Sequence, residues 1–300
     1  MRLKWLPAFA AFMALLSIAP CAGAQRVVED QLGRSMRVPD DPGRIISLAP
    51  SITEIVFALG QGHRLVGATQ FSDFPPEARR LPKVGSYVHL DLERIVALRP
   101  DLCIAVKDGN PRRIAERLEE LNIPVYAVDP RDLKSVMRTI GEVGRLLNRQ
   151  ERAALVKDRM ARRIQDVTSR VRQTGERPGV FFQIGITPIV AVGTDTFIHE
   201  LIELACGKNL TAGPTPYPRY SREQVLALKP EIFIITSMAR GGAFDRVKAQ
   251  WRRWPQMPAV KNGRIHVVDS NIFDRPSPRL VDALELLGRL IHPEMSKENR

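Results

Sequence analysis

The chain has 300 residues, 26% of them Asp, Glu, Lys or Arg, and a formal charge of +12. At that length two folding units are expected rather than one. The basic excess is spread over several predicted helices with acids interleaved and no aromatic-basic motif beside it, so no nucleic-acid partner is expected.

Residues 1–24 read as a secretory signal peptide rather than as part of the fold. Arg2 and Lys4 make a positive start, Trp5 to Ile18 is apolar apart from Pro7, and Ala22-Gly23-Ala24 is a small-x-small cleavage pattern before Gln25. The apolar run is short for a membrane span, which needs about 20 residues. Pro20 occupies a place where a lipoprotein signal wants a small residue, which counts against lipidation of Cys21. Export with cleavage after about Ala24 is expected. Cys103 and Cys206 then remain, at the ends of separate apolar segments in different halves, and two unpaired, buried thiols are expected. No Cys/His spacing resembles a metal site.

Short β runs alternate with amphipathic helices, the pattern of an α/β fold with mainly parallel sheets. Val27 to Val38 reads as an opening hairpin, and Ile45 to Leu48 as the first buried strand. Ser51 and Glu54 suggest a capping box for a helix that runs to Leu59 and stops at Gly60. Leu65 to Ala68 is a strand, followed by a Pro75-Pro76 loop, a short helix at Glu93 to Leu98 and a strand at Leu102 to Val106. A helix at Arg112 to Leu121, a strand at Val125 to Val128 and a helix at Leu133 to Leu147 complete a first lobe, residues 25–148.

Gln150 to about Gln173 contains no Gly or Pro and only a thin apolar stripe of Ala154, Val156, Met160, Ile164, Val167 and Val171. Such a helix, about 36 Å long, suits a solvent-flanked strut between lobes, with residues 149–175 as the linker. The alternation restarts in a second lobe, residues 176–300. Its strands are Val180 to Ile184, Ile232 to Thr236 and Ile265 to Asp269; its helices are Thr196 to Ala205, Gln224 to Leu228, Ala243 to Arg252 and Pro278 to Leu290.

An internal repeat strengthens the two-lobe reading. A shift of 130 positions places Tyr87 on Tyr217, Asp91 on Ser221 and Glu93 on Glu223, and aligns Ala97-Leu98-Arg99-Pro100-Asp101 with Ala227-Leu228-Lys229-Pro230-Glu231. Asp91 and Ser221 are good N-caps, so each glutamate falls in the first turn of its helix. The helix dipole alone explains one acid there. Two at equivalent lobe positions suggest paired anchors for a partner bearing arginines. Tyr87 and Tyr217 precede these helices in loops at strand ends, where open α/β sheets bind ligands. Facing lobes would put them with Phe71 around one cleft, suited to a large, partly apolar, ring-containing ligand.

Catalytic readings fare poorly. Asp73, His89, Asp195, His199 and His266 are scattered, and there is no G-x-S-x-G, no H-E-x-x-H and no phosphate-cradling glycine loop. No catalytic or metal-ligating residue is expected, and the protein is not expected to be an enzyme. His199, Trp251 and Trp254 read as packed side chains.

The stretches from Arg44 to Glu54 and from Leu92 to Leu102 resemble the periplasmic binding proteins for cobalamin, haem and ferric siderophores. Phe71 to Pro76, Phe182 to Pro188, Ser221 to Val225 and Asp274 to Arg279 are similar to the cobalamin-binding branch. The resemblance implies an α/β fold of two Rossmann-like lobes with mainly parallel sheets, joined by one long rigid α-helix with little movement on binding. It implies a monomer in the periplasm that captures a corrinoid as cargo, with no resident cofactor, and delivers it to the permease of an ABC importer. Phe71, Tyr87, Ile184, Tyr217, Asn271 and Arg275 are the implied ligand contacts, and Glu93 and Glu223 the implied permease anchors. Five positions depart from the branch: Tyr87 and Tyr217 stand for tryptophans, Ile184 for a phenylalanine, and Asn271-Ile272 for an Asp-Trp pair. Haem or a ferric siderophore is the alternative ligand, with Tyr87, His89 or Tyr217 offering an axial group to haem. An exported α/β hydrolase is the alternative from another class.

Overall fold

The computed structural model describes residues 24–236 and 243–296. The expected signal peptide and Cys21 lie outside the described residues. Strands β1 (Gln25–Glu29) and β2 (Ser35–Pro39) form the opening hairpin, turning through Gly33 at φ 75°. The first lobe is built on β3 (Ile45–Ser47), β4 (Leu65–Ala68), β5 (Leu102–Val106) and β6 (Val125–Val128) in the order β4-β3-β5-β6, all parallel. Every residue of β3, β5 and β6 is buried, as expected of a sheet covered on both faces, whose strands read as continuous apolar runs. Helices α1 (Pro50–Ala58), α2 (Leu92–Ala97), α3 (Arg112–Glu120) and α4 (Leu133–Leu146) accompany them.

The expected Ser51–Glu54 capping box does not form. Pro50 takes the first helical position, which its missing N–H suits, so Ala49 is the N-cap and no side chain caps the helix. The N-cap thus lies two residues before Ser51, so Glu54 falls in the second turn, beyond the reach of a cap, and its carboxylate is used elsewhere.

Helix α5 (Gln150–Arg172, 23 residues) links the lobes. It is less solvent-flanked than its composition suggests, because it packs against α4 on one side and α11 (Leu280–Ile291) on the other. Its buried residues are Ala153, Met160, Val167 and Val171, whereas Ala154, expected on the stripe, is exposed. Glycines admit the close approach: a Cβ on Gly144 would fall 2.5 Å from that of Ala153, and one on Gly288 3.2 Å from Val167 Cγ1. One hydrophobic core therefore runs from the first lobe through α5 into the second.

The second lobe contains β7 (Gly179–Gly185), β8 (Ile189–Ala191), β9 (Lys208–Asn209), β10 (Arg219–Tyr220), β11 (Ile232–Ile235) and β12 (Ile265–Val267). The order is β10-β8-β7-β11-β12 with β9 also on β7; β7, β9, β11 and β12 pair in parallel, and β8 pairs antiparallel with both β7 and β10. Its helices are α6 (Phe197–Leu204), α7 (Arg222–Ala227), α8 (Ala243–Trp251), α9 (Pro258–Lys261), α10 (Ser270–Phe273) and α11. Trp251 is buried and donates Nε1–H to Gln183 Oε1 at 3.1 Å, and half-buried His199 meets Asn209 Nδ2 at 3.1 Å, so both are packed. Cys103 and Cys206 are free, but Cys206 is only half-buried, ending α6 at φ 52°.

The sequence repeat is a structural repeat. Helices α2 and α7 start and stop 130 residues apart, and the Asp91 and Ser221 side chains accept from the Arg94 and Gln224 backbone N–H groups. Both chains then leave the helix through a left-handed residue, Arg99 at φ 47° and Lys229 at φ 48°. Even the following acids agree: Asp101 accepts from Gly43 and Arg44 N–H at 2.8 and 3.0 Å, and Glu231 accepts from Gly179 N–H at 2.8 Å.

Candidate functional site

A cleft of about 550 Å³ lies between the lobes. Its first-lobe wall comes from the carboxyl ends of the parallel strands: Ala49 to Ser51 after β3, Phe71 after β4, Val106, Asp108 and Gly109 at the end of β5, and Asp129-Pro130 after β6. The second lobe contributes Ile184 at the end of β7, Val190, Phe197 at the start of α6, Tyr217 before β10, and Ser270 to Pro276 beyond β12. This is where an open α/β sheet offers backbone groups without side-chain cover. All six sequence-derived ligand residues (Phe71, Tyr87, Ile184, Tyr217, Asn271 and Arg275) line this cavity. Glu93 and Glu223 do not; both are exposed on the first turns of α2 and α7. His89 is also exposed and does not line the cleft, so of the three suggested axial groups only the two tyrosines face it.

Tyr87 is set in place by a residue that the sequence did not flag. The Asn110 amide Nδ2 donates to Leu48 O at 2.8 Å and Tyr87 O at 2.7 Å, while its Oδ1 accepts from Val106 N–H at 2.8 Å. One side chain thus ties the ends of β3 and β5 to the aromatic loop. Gly109 completes the seat: at φ +119° it occupies a region that disfavours side chains, and a Cβ there would overlap the Tyr87 ring. The turn residues Asp108-Gly109-Asn110-Pro111 after a buried strand were the available signal. Across the cleft Tyr217 stays 53% exposed, and burial, then Asp108, Asp274 and Tyr87, push its phenol pKa up.

The cleft floor carries an ion-pair latch between the lobes. Arg275, whose side chain is 7% exposed, donates Nη1–H to Glu54 Oε1 at 2.9 Å and to Asp73 Oδ1 at 2.8 Å. Its Nη2 donates to Phe71 O at 2.9 Å and to Asn271 Oδ1 at 2.6 Å. Glu54 also accepts from Ser277 Oγ at 2.6 Å and Arg279 Nη1 at 3.3 Å, and the Arg279 guanidinium stacks 3.9 Å over the Phe74 ring. Arg275 therefore lines the cleft with both Nη groups engaged, by Glu54, Asp73 and Phe71 of the opposite lobe and by Asn271 of its own. Burial pushes the Glu54 carboxyl up, opposed by Ser277, Arg275 and Arg279; it pushes Asp274 up more strongly, to about 7, opposed by Arg275. A second polar tie lies elsewhere, where Glu200 Oε2 accepts from Leu133 N–H at 2.7 Å.

The profile of the periplasmic binding proteins matches residues 45–272, three quarters of the chain. The chain belongs to the periplasmic binding protein family. Among its relatives is the vitamin B12-binding protein of Pectobacterium carotovorum subsp. carotovorum, 34% identical over 250 residues that span 81% of this chain and 86% of that protein. Among solved structures it is similar to the periplasmic vitamin B12 binding protein BtuF of Vibrio cholerae, with a TM-score of 0.73 and 30% identity over 84% of this chain and 97% of that one. It is similar too to the periplasmic heme-binding protein RhuT from Roseiflexus sp. RS-1, with a TM-score of 0.76 and 26% identity over 83% and 98% of the two chains. Two lobes with mainly parallel sheets and a single connecting helix are thus the family's architecture. Members of this family bind solutes, and the cleft between the lobes is the binding cavity that the geometry offers.

Proposed function

We propose that this periplasmic binding protein is exported, loses residues 1–24, and captures a corrinoid between its lobes for delivery to an ABC importer. Aromatic side chains from both lobes, Phe71, Tyr87 and Tyr217, wall one cleft, and this observation carries the assignment. A cavity of about 550 Å³ is within the roughly 300–1,000 Å³ range of small-molecule sites, and flat rings bind well between such walls. The vitamin B12-binding relatives support the corrinoid as the class of ligand. Binding here is sandwiching and hydrogen bonding by Asn271 and neighbouring backbone, with no covalent step.

Glu93 and Glu223 are the docking anchors of this proposal. Their helices are matched to the residue, both carboxylates face solvent, and the Glu223 carboxyl is held below its usual range by its own backbone N–H and the Ser221 hydroxyl. Two fixed anions, one per lobe, suit bidentate capture by permease arginines. Helix α5, its shared core and the Glu54–Arg275 latch support small lobe movement on binding.

Titration calorimetry of the mature chain with cyanocobalamin, cobinamide and haemin tests the assignment. Corrinoid binding at micromolar or tighter concentration is expected. Haemin binding with a shifted Soret band, and no heat from either corrinoid, would replace the corrinoid by haem.

A further inference from the structure

Corrinoids and haem are both flat macrocycles, and they differ most in what hangs from the ring edge. The corrinoid's amide side chains are neutral and donate hydrogen bonds; haem's propionates are anionic. The cleft carries a charge that distinguishes them. Among the described residues lining it Arg275 is the one cation, and Glu54 and Asp73 both hold it. Lys107 and Arg131 flank the first-lobe rim without lining the cavity, and Asp129 binds them at 3.1 and 3.0 Å. Asp108 from the first lobe and Asp274 from the second also line the cavity, and among the described residues neither forms an ion pair. Among the described lining residues, the carboxylates outside any ion pair are therefore two, on opposing walls beside aromatic faces.

We infer that Asp108 and Asp274 set the specificity of this cleft by charge, accepting hydrogen bonds from the amides of a neutral macrocycle and repelling one that carries carboxylates. The inference rests on the cleft being the corrinoid site. Hydrogen bonds from N–H to a carboxylate are about twice as strong as neutral ones, so the pair attracts amides as well as rejecting acids. A ligand carboxylate would meet two anions across a part-enclosed space, and among the described lining residues the one cation is already held by Glu54 and Asp73. Burial, and after it the same two aspartates, raises the Tyr217 phenol further above its ordinary value, which opposes the phenolate form that holds ferric haem. Asp274→Asn and Asp108→Asn would each remove one anion while keeping shape.

The test compares cyanocobalamin with its derivative in which one ring-edge amide has been hydrolysed to a carboxylate. The two share ring, metal and volume. Calorimetry is run at pH 8, above the value of about 7 to which the Asp274 carboxyl is raised. The wild-type chain is expected to bind the amide form about tenfold more tightly, the size of one screened charge repulsion. In the Asp108→Asn/Asp274→Asn chain that ratio is expected to fall toward one. Equal binding of both ligands by the wild type overturns the inference and leaves corrinoid binding standing. A ratio unchanged in the double variant assigns the discrimination to other groups and also overturns it. If neither corrinoid binds, the functional proposal fails and this inference fails with it.

Discussion

Asp274 makes the cleft costly to the fold, and the cost has a sign and a pH window. Burial raises its carboxyl from 3.8 to about 7, with Arg275 pulling it down and Asp269 pushing it up. Because the folded-state value lies above the unfolded one, the unfolded chain releases this proton first as pH rises. The stability associated with the neutral carboxyl is present below about pH 4 and lost progressively up to about pH 7. At about 1.4 kcal/mol for each pH unit between the two values, the ionised carboxyl destabilises the fold by at most about 4 kcal/mol at pH 8. Asn at this position has the same shape and no charge at any pH. Asp274→Asn is therefore expected to match the wild type near pH 4 and to be more stable by up to about 4 kcal/mol at pH 8, raising Tm by roughly 2–4 °C per kcal/mol. Urea and thermal unfolding followed by circular dichroism from pH 4 to 9 measures the difference between the two chains, so other titrating groups cancel. Parallel pH profiles for the two chains, or a less stable variant at pH 8, would refute the reasoning.

Three further outcomes follow from named contacts. Glu54→Ala leaves the Arg275 and Arg279 guanidiniums without their buried carboxylate; a loss of about 3 kcal/mol in urea unfolding is expected, larger than for the more exposed Asp73→Ala. Asn110→Ala removes three hydrogen bonds that seat Tyr87, and should weaken ligand binding in calorimetry while costing the fold about 1–3 kcal/mol. Glu93→Ala combined with Glu223→Ala should abolish uptake of labelled ligand in cells with ligand affinity unchanged; lost affinity in that pair would move both residues into the binding site.

Much of the architecture was legible because it is written locally. The capped starts at Asp91 and Ser221, the left-handed exits at Arg99 and Lys229, and the apolar strands that follow each use neighbouring residues, so a 130-residue shift exposes them. The aromatic positions were legible for related reasons: the same shift pairs Tyr87 with Tyr217 ahead of the two helices, and Phe71 follows the end of β4, where chain direction in a parallel sheet gathers the strand ends on one edge. What was misread depends on register or on distant partners. Pro50 shifted α1 by two residues and turned Glu54 from an expected cap into a buried ion pair. Ala153 replaced Ala154 on the inner face of α5, since Gly144 of α4 fixes which side approaches.

The sequence by itself determined two α/β units, a long unbroken helix between them, and a doubled glutamate at matched helix starts, because caps, breakers and periodicity act within a few residues. Only the tertiary structure decided the character of the cleft. Glu54 and Arg275 are 221 positions apart in the chain, and their pairing commits the one cation among the described lining residues. Asp108 and Asp274, unremarkable in their separate loops, become an opposed pair of anions when the lobes face each other. Charge acts through space rather than along the chain, and so the sign of a binding site is known only once the chain has brought its walls together.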